Sequence, residues 1–416
     1  MADRAICVGP APSAESYLNA NALVAAAKGT GCDAIHPGYG FLSERASFQR
    51  LCAEQGLVFV GPDADAIERM GNKINAIVAA RAAGVPVLPG RERIGNVAEL
   101  LTCAGEIGYP VLIKASAGGG GRGMRLLHRP QDAEAAFASA QAEALAAFGD
   151  GTVYLEKYIQ DARHIEIQVI ADAFGRCCHL FERDCSVQRR HQKLVEESPS
   201  PVLSADMRQA MAKAAVDLTL AVGYRNAGTV EFVFDKASGA FYFLEMNTRV
   251  QVEHPVTEAV TGIDIVREQI RIAMGLPLSF VQEDIRMDGH AIECRVNAED
   301  PHDGFRPSPG RVREWLPPDH PWVRLDTHVY PGYLVPPFYD SMVAKVIAHG
   351  PTREYAIAQM LAYLRAFRVT GITTTIPLQI QVMEHPDFAA GDVTTTWLEQ
   401  TILPSLNKKN TEAPHA

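Results

Sequence analysis

The chain has 416 residues, 47% of them hydrophobic and 21% charged, ordinary globular usage that can fill two or three connected cores and excludes intrinsic disorder. Its formal net charge of −10 excludes the broad basic surface that a nucleic-acid partner needs, so an anionic substrate must be held by a local basic cluster. No apolar run reaches the ~18 residues of a membrane span, and the start, MADRAICVGP, lacks the basic end and apolar stretch of a signal peptide; a soluble, cytoplasmic protein without a membrane partner is expected.

From Ala5 to about Ile113, short β-type runs (AICVG, CDAIH, LVFVG, YPVLIKA) alternate with helical stretches such as Asn21 to Lys28 and Val97 to Ile107. That is α/β order, with parallel pairing expected at first. Between Val153 and Phe181 the runs VYLEKY, HIEIQVIAD and CCHLFER follow one another without a helix, which favours antiparallel pairing and makes the middle α+β. A helix from about Ser204 to Val222 precedes two more strands, GTVEFVF and AFYFLEMN, and a helical run from about Ile263 to Met274 follows a Pro-interrupted stretch. GLPLSF reads as a turn into a new unit. From His290 to Gly350 the chain is strand-rich and punctuated by proline, and it closes with helices near Arg353 to Phe367 and Thr375 to Met383. The tail NKKNTEAPHA, 407–416, is expected to be disordered. Eight scattered cysteines without a C-x-x-C pair read as free thiols, neither a zinc site nor a disulfide framework.

The strongest local signal is KASAGGGGRGM, Lys114 to Met124, with five glycines between Gly118 and Gly123. Glycine costs roughly 0.5–1 kcal/mol against alanine at an ordered position, and close approach of backbone to phosphate gives that cost a reason. The string satisfies G-x-G-x-x-G, but a dinucleotide fold requires a helix next, whereas MRLL reads as a strand. A glycine-rich turn between two strands is instead a flap over nucleotide phosphates, as kinases also use.

GTVEFVF carries Glu231, and FLEMN carries Glu245 and Asn247. Side chains two apart share a strand face, so Glu245 and Asn247 should point one way while Leu244 and Met246 point into the core. If the strands are adjacent the carboxylates meet, and at about 4 Å they repel by roughly 4 kcal/mol at an effective dielectric near 20 unless a cation intervenes. Hard oxygen ligands beside a phosphate flap imply magnesium. Arg249, Gln251 and Glu253 continue the alternation, but an extended chain would carry Glu253 about 26 Å from Glu245 at ~3.3 Å per residue. A shared site therefore requires a turn soon after Asn247.

The segment ERDCSVQRRHQKLVEESPS concentrates Arg183, Arg189, Arg190, His191 and Lys193. It reads as a solvated loop or, in an acidic protein, as a pocket for bicarbonate or phosphate. His164, Glu166 and Gln168 alternate with Ile165, Ile167 and Val169, which an amphipathic strand explains completely.

Taken together, HPGYGFLSE, KASAGGGGRGM, LEKYI, ERDCSVQRRHQK, EMNTRVQVEHPVTE, HAIECRVNAEDP and PFYDSMVAKV closely resemble the biotin carboxylase family, from about Asp3 to Leu406. The resemblance implies an ATP-grasp fold of mixed α/β and α+β class: a shortened Rossmann-like N-terminal lobe (1–70), an ATP-grasp domain (71–276) with a mobile glycine-rich lid (about 88–158), and a biotin carboxylase C-terminal domain (285–400). It implies a ligase using ATP, magnesium (or manganese) and bicarbonate to carboxylate biotin on a carrier protein, the first half-reaction of an acyl-CoA carboxylase, with acetyl-CoA the expected acceptor. Lys73, Lys114 and Gly118, Gly119, Gly120 and Gly121 match phosphate contacts, and Glu156, Lys157 and Ile159 the adenine hinge. His164, Gln188 and His191 match nucleotide positions, overriding the structural reading of His164. Glu231, Glu245 and Asn247 match the metal site; Lys193, Arg249, Gln251 and Val252 the bicarbonate pocket; Glu253 the base; Arg295 the stabiliser of biotin's enolate; and Tyr39 the border of the biotin pocket.

Family members begin with a further strand, helix and strand ahead of Ala5, so an exposed sheet edge and a weakened homodimer are expected. Ala117 replaces a usual glycine, and the loop at Arg91 to Asn96 is short. No biotin-accepting lysine flanked by methionines is present, so the implied partners are a separate biotin carboxyl carrier protein and carboxyltransferase subunits. The rival readings are another ATP-grasp ligase, of carbamoyl-phosphate type, and an inactive short form that binds the carrier.

Overall fold

A computed structural model of the chain describes residues 2–116 and 124–406; Ala117, Gly118 to Gly121 and the 407–416 tail lie outside the described residues. Near the N-terminus, strands Ala34–Ile35 and Val58–Phe59 pair in parallel. Helices Ala20–Gly29 and Ala46–Glu54 close over them around Phe48, Cys52, Phe59 and Ile67. The AICVG run forms no strand: Ala5 to Gly9 are largely exposed and meet no sheet edge, and an extended run without a hydrogen-bonding partner gains no ladder.

YPVLIKA and VYLEKY do form strands, but in a sheet of their own. The order is Gly90–Ile94, Val153–Lys157, Val111–Ala115, Arg125–Leu127, antiparallel throughout. Helices Val97–Ile107 and Ala133–Phe148 cover one face and bury Leu100, Ile113, Leu127, Phe137 and Leu155. VYLEKY therefore does not pair with the HIEIQVIAD strand, as its place in the sequence suggests. Its apolar positions are spent on this separate small core.

The main sheet has eight antiparallel strands, in the order Ala240–Asn247, Asn226–Asp235, Ala162–Ala171, Cys177–Arg189, Gln192–Ser198, His290–Asn297, Met342–Gly350, Val323–Thr327. Helix Ala205–Ala221, capped by Ser204, which accepts from Met207 N, packs Met211, Ala215 and Leu218 against Ile165, Val230 and Phe232. Full burial of a side chain such as Phe232 contributes about 1.5–3 kcal/mol. The last four strands share a second core with helices Arg353–Ala366 and Ile376–Glu384.

The Pro-interrupted stretch holds a helix the sequence reading missed, His254–Thr261. Pro255 sits in its first turn, where a missing N–H forfeits no bond, and Gly262 ends it in the left-handed region. The helix directly follows the turn that carries Arg249, Gln251 and Glu253, so the sharp turn required after Asn247 is present. Among the described residues no helix is long and apolar enough to cross a membrane.

Candidate active site

A cleft of about 790 Å³ opens between the N-terminal segment, the main sheet and the C-terminal strands. Tyr39, Lys73, Lys114, His164, Gln188, His191, Lys193, Glu231, Glu245, Asn247, Arg249, Gln251, Val252, Glu253 and Arg295 all line it. Glu156, Lys157 and Ile159 lie outside its lining. Glu156 accepts from Lys114 Nζ at 2.7 Å, Lys157 donates to the carbonyls of Gly108 and Tyr109, and Ile159 packs beside Leu88, Ala162 and Val233.

The basic segment is a hairpin rather than a solvated loop. Arg189 pairs with Gln192, leaving Arg190 and His191 as a two-residue turn with φ of 48° and 64°, the backbone that lets a tight hairpin follow the twist of its strands. That turn sets Lys193 on the returning strand with its ammonium over the sheet. Lys193 Nζ donates to Glu166 Oε2 at 2.5 Å, Glu231 Oε1 at 2.9 Å and Glu253 Oε1 at 2.6 Å, gathering carboxylates from three separate elements.

Glu231 and Glu245 are direct cross-strand partners, but a bulge follows. Phe232 pairs with Phe243 and leaves Leu244 unpaired, so the alternation slips by one. Phe243 and Met246 enter the core, whereas Leu244 lines the cleft together with Glu245, contrary to the expectation that Leu244 points inward. Glu245 is 38% exposed and meets Lys73 at 3.4 Å. Glu231 is buried; it accepts from Asn247 and Gln251 at 2.8 Å each and lies 2.9 Å from His164 Nε2.

Glu253 also meets Arg295, whose Nη2 donates to it at 3.0 Å while Nε donates to Glu196 at 2.6 Å. Burial alone would raise the proton affinity of Glu253, but Lys193, then Arg295 and Arg183, outweigh it and hold the carboxyl well below the usual range. Burial is likewise outweighed at Glu231, by Lys193 and His164, and its carboxyl is held low. Burial lowers the proton affinity of the His191 ring. His164 moves the other way: the Glu231 charge overcomes burial and favours its protonated form.

The cleft thus combines two lysines, a set of hard oxygen donors and a buried carboxylate between two cations. A carbamoyl-phosphate synthase L chain ATP-binding domain model matches residues 72–281, flanked by biotin carboxylase N-terminal (1–67) and C-terminal (293–400) domain models. Biotin carboxylase 1 of Bacillus subtilis is 54% identical over 400 residues, 96% of this chain and 89% of that protein. The chain belongs to the biotin carboxylase family. Among solved structures, the Campylobacter jejuni biotin carboxylase–β,γ-ATP complex superposes with a TM-score of 0.93 at 48% identity, covering 96% of this chain and 89% of that one. The Hydrogenobacter thermophilus 2-oxoglutarate carboxylase biotin carboxylase domain dimer, with MgADP, ADP and bicarbonate, gives 0.91 at 47% identity, covering 97% and 88%.

Sequence reasoning missed the layer beneath these residues. Arg183 is fully buried and distributes its N–H groups to Glu166, Gln168, Thr257, Thr229 and Gln251, which uses the whole donor fork of a guanidinium. Glu166 and Gln168, read as the polar positions of an amphipathic strand, are 0% exposed. Glu196 holds Arg295, and Glu44 holds Arg249 at 3.1 Å from the N-terminal segment. The one available signal was charge itself: Arg183 and Glu166 recur at strand spacing on faces where the neighbouring strands also carry charge.

Proposed function

We propose that this chain is a biotin-carboxylating ligase: it uses ATP to activate bicarbonate and transfers the carboxyl group to biotin presented by a separate carrier protein. The observation that carries this reading is the placement of Glu253 between Lys193 at 2.6 Å and Arg295 at 3.0 Å. A general base and a stabiliser of developing negative oxygen thereby adjoin one anion-binding corner.

Lys193, Arg249 and the Gln251–Val252 turn bind bicarbonate, and Glu253 accepts its proton. The cations that keep Glu253 ionised also weaken it as a base. Binding an anion among them offsets part of their charge and raises the carboxylate's proton affinity when it is needed. The deprotonated oxygen attacks the γ-phosphorus, ADP leaves, and the lysines Lys73 and Lys114 offset charge on the transferring group. The mixed anhydride formed, carboxyphosphate, breaks into CO2 and phosphate; phosphate takes the ureido proton of biotin, and the biotin nitrogen attacks CO2. Arg295 holds the enolate oxygen that develops meanwhile, and Tyr39 borders the biotin position. His164, Gln188 and His191, with Glu156, Lys157 and Ile159 behind Lys114, complete the nucleotide side. Gly118 to Gly121, which lie outside the described residues, match phosphate contacts by the sequence resemblance alone.

Glu231, Glu245 and Asn247 fit a magnesium ion: they are hard oxygen donors from paired strands, and Glu245 turns an accessible carboxylate into the cleft with one long ion pair. When bound there, the ion neutralises phosphate charge. The implied partners are the carrier, carboxyltransferase subunits and a second copy of this chain, in the cytoplasm. Relatives of comparable identity include a pyruvate carboxylase subunit from Methanothermobacter thermautotrophicus, at 48%, so acetyl-CoA as final acceptor rests on the sequence resemblance alone.

The test is bicarbonate-dependent ATP cleavage with and without free biotin. Biotin-stimulated turnover that Glu253→Ala abolishes, while ATP still binds, is expected. Substantial activity in that variant removes Glu253 as the base, and stimulation by ammonia or glutamine instead of biotin would replace the reading with the carbamoyl-phosphate type.

A further inference from the structure

Where the main sheet passes into its C-terminal strands, its cleft-side face carries charge that the reaction above does not use. Glu293 lies opposite Glu196 on one neighbouring strand, and Arg295, two residues along, lies opposite Lys345 on the other. Opposed residues and residues two apart share a face, so these four side chains form one patch. The Gln251–Glu253 turn rests on it: Arg295 donates to Glu253 at 3.0 Å, and Lys345 Nζ donates to the Val252 carbonyl at 2.7 Å.

Glu293 is 0% exposed, and among the described residues neither of its carboxyl oxygens has a hydrogen-bond partner; Glu196 Oε2 has none either. Arg295 is committed to Glu196 and Glu253, and Lys345 to Val252 and, at 3.7 Å, to Asp326 on the strand beyond it. An ionised carboxylate without donors inside a protein is so unfavourable that such a group takes up a proton instead. The groups facing Glu293 are Lys345, Glu196, Arg295 and Glu253, with Tyr39 from the N-terminal segment and His254 beyond Lys345. Burial outweighs the Lys345 charge and pushes Glu293 well above the usual carboxylate range, and burial against Arg295 leaves Glu196 at about 7.

We propose that Glu293 works as a neutral carboxylic acid and is a positioning residue for Arg295: neutral, it leaves the guanidinium to Glu253 and to the developing negative oxygen of biotin; ionised, it draws the guanidinium back onto the sheet. This rests on the biotin-carboxylating reading of the site. Rising pH then converts Glu293 into a competitor for Arg295, so biotin-dependent turnover acquires an alkaline limb that this residue sets.

The experiment compares full-length wild type with Glu293→Gln, in which a neutral amide replaces the acid. Biotin-dependent turnover is followed from neutral to alkaline pH, and infrared difference spectra record the carbonyl stretch of a protonated carboxylic acid. The expected result is comparable turnover at neutral pH, loss in the variant of a limb that falls about tenfold per pH unit in wild type, and loss of the protonated-carboxyl band that in wild type persists well above pH 7, where Glu196 has ionised. A Gln variant that keeps the limb, or is inactive at every pH while folded, overturns the proposal. So does the absence from wild type of a band above the Glu196 range, or the survival of one there in Glu293→Gln. A band that behaves as expected without any biotin-stimulated turnover overturns the functional reading, and the positioning role with it, while leaving Glu293 a neutral acid.

Discussion

Replacing Lys193 by methionine keeps the length of the side chain and removes its charge, which isolates what the ammonium does for three carboxylates. Glu166, Glu231 and Glu253 all lie within 2.9 Å of Lys193 Nζ, so their oxygens stand no more than about 5.5 Å apart, where each pair repels by at least about 3 kcal/mol at an effective dielectric near 20. Each keeps at least one other cation: Glu166 keeps Arg183 and, at 3.8 Å, His164; Glu231 keeps His164; and Glu253 keeps Arg295. The loss should therefore fall at the lower end of the about 3–5 kcal/mol typical of a broken buried pair. Its pH dependence has a definite sign. In wild type, burial notwithstanding, Lys193 helps to hold Glu231 and Glu253 below the usual range. That stabilisation is present above the unfolded carboxylate pKa and is lost as pH falls through the folded values. Urea unfolding of Lys193→Met should thus show a deficit of about 3 kcal/mol at neutral pH that narrows in acid. A deficit below about 1 kcal/mol, or one that widens as pH falls, would refute the claim that Lys193 is the electrostatic centre of the site.

Glu231→Gln removes one hard anionic ligand and should raise the magnesium concentration needed for half-maximal ATP cleavage; an unchanged metal titration counts against its ligand role. Glu44→Gln releases Arg249 and the Thr248 amide; because that pair is partly solvated it should raise the bicarbonate KM about fivefold at most and leave the unfolding midpoint in place, and a changed midpoint would mark it as structural. Glu197 is buried between His290 and Arg353; although burial opposes it, their hydrogen bonds and charge bring its carboxyl down to about 2. Glu197→Gln should therefore cost roughly 3 kcal/mol at neutral pH, a difference that fades as pH falls from the ordinary carboxylate range toward 2, and equal acid unfolding of both proteins would contradict the assignment.

Period and punctuation made most elements legible. The helix Val97–Ile107 and the Ala205–Ala221 helix with its Ser204 cap follow from pattern alone, because local spacing and capping carry their whole signal. Partnership did not follow. VYLEKY and HIEIQVIAD are separated by only four residues between Lys157 and Ala162, yet they enter different sheets. Nothing in an alternating strand states which edge it will meet. Leu244 failed for a sharper reason: a single bulged residue reverses which side chains face the cleft, and a bulge placed beside the Glu231–Glu245 pair leaves no mark in composition.

The site was legible where its residues face the substrate and opaque where they face each other. His164 and Glu166 occupy the same strand face, and an amphipathic strand accounts for both until it is known that Arg183, from the neighbouring strand, lies against that face with no water between. Burial turns the same alternating text from a solvated surface into a network in which Glu166 holds both Lys193 and Arg183. Arg183 in turn holds Gln251, two residues before Glu253. Glu253 is therefore positioned through three strands that the sequence separates, and its environment is set by charges that look like ordinary surface charge when read one strand at a time. Only the paired register, which places Glu293 opposite Glu196 and Arg295 opposite Lys345, reveals that the polar face continues beneath the Gln251–Glu253 turn, where three carboxyl oxygens have no hydrogen-bond partner among the described residues.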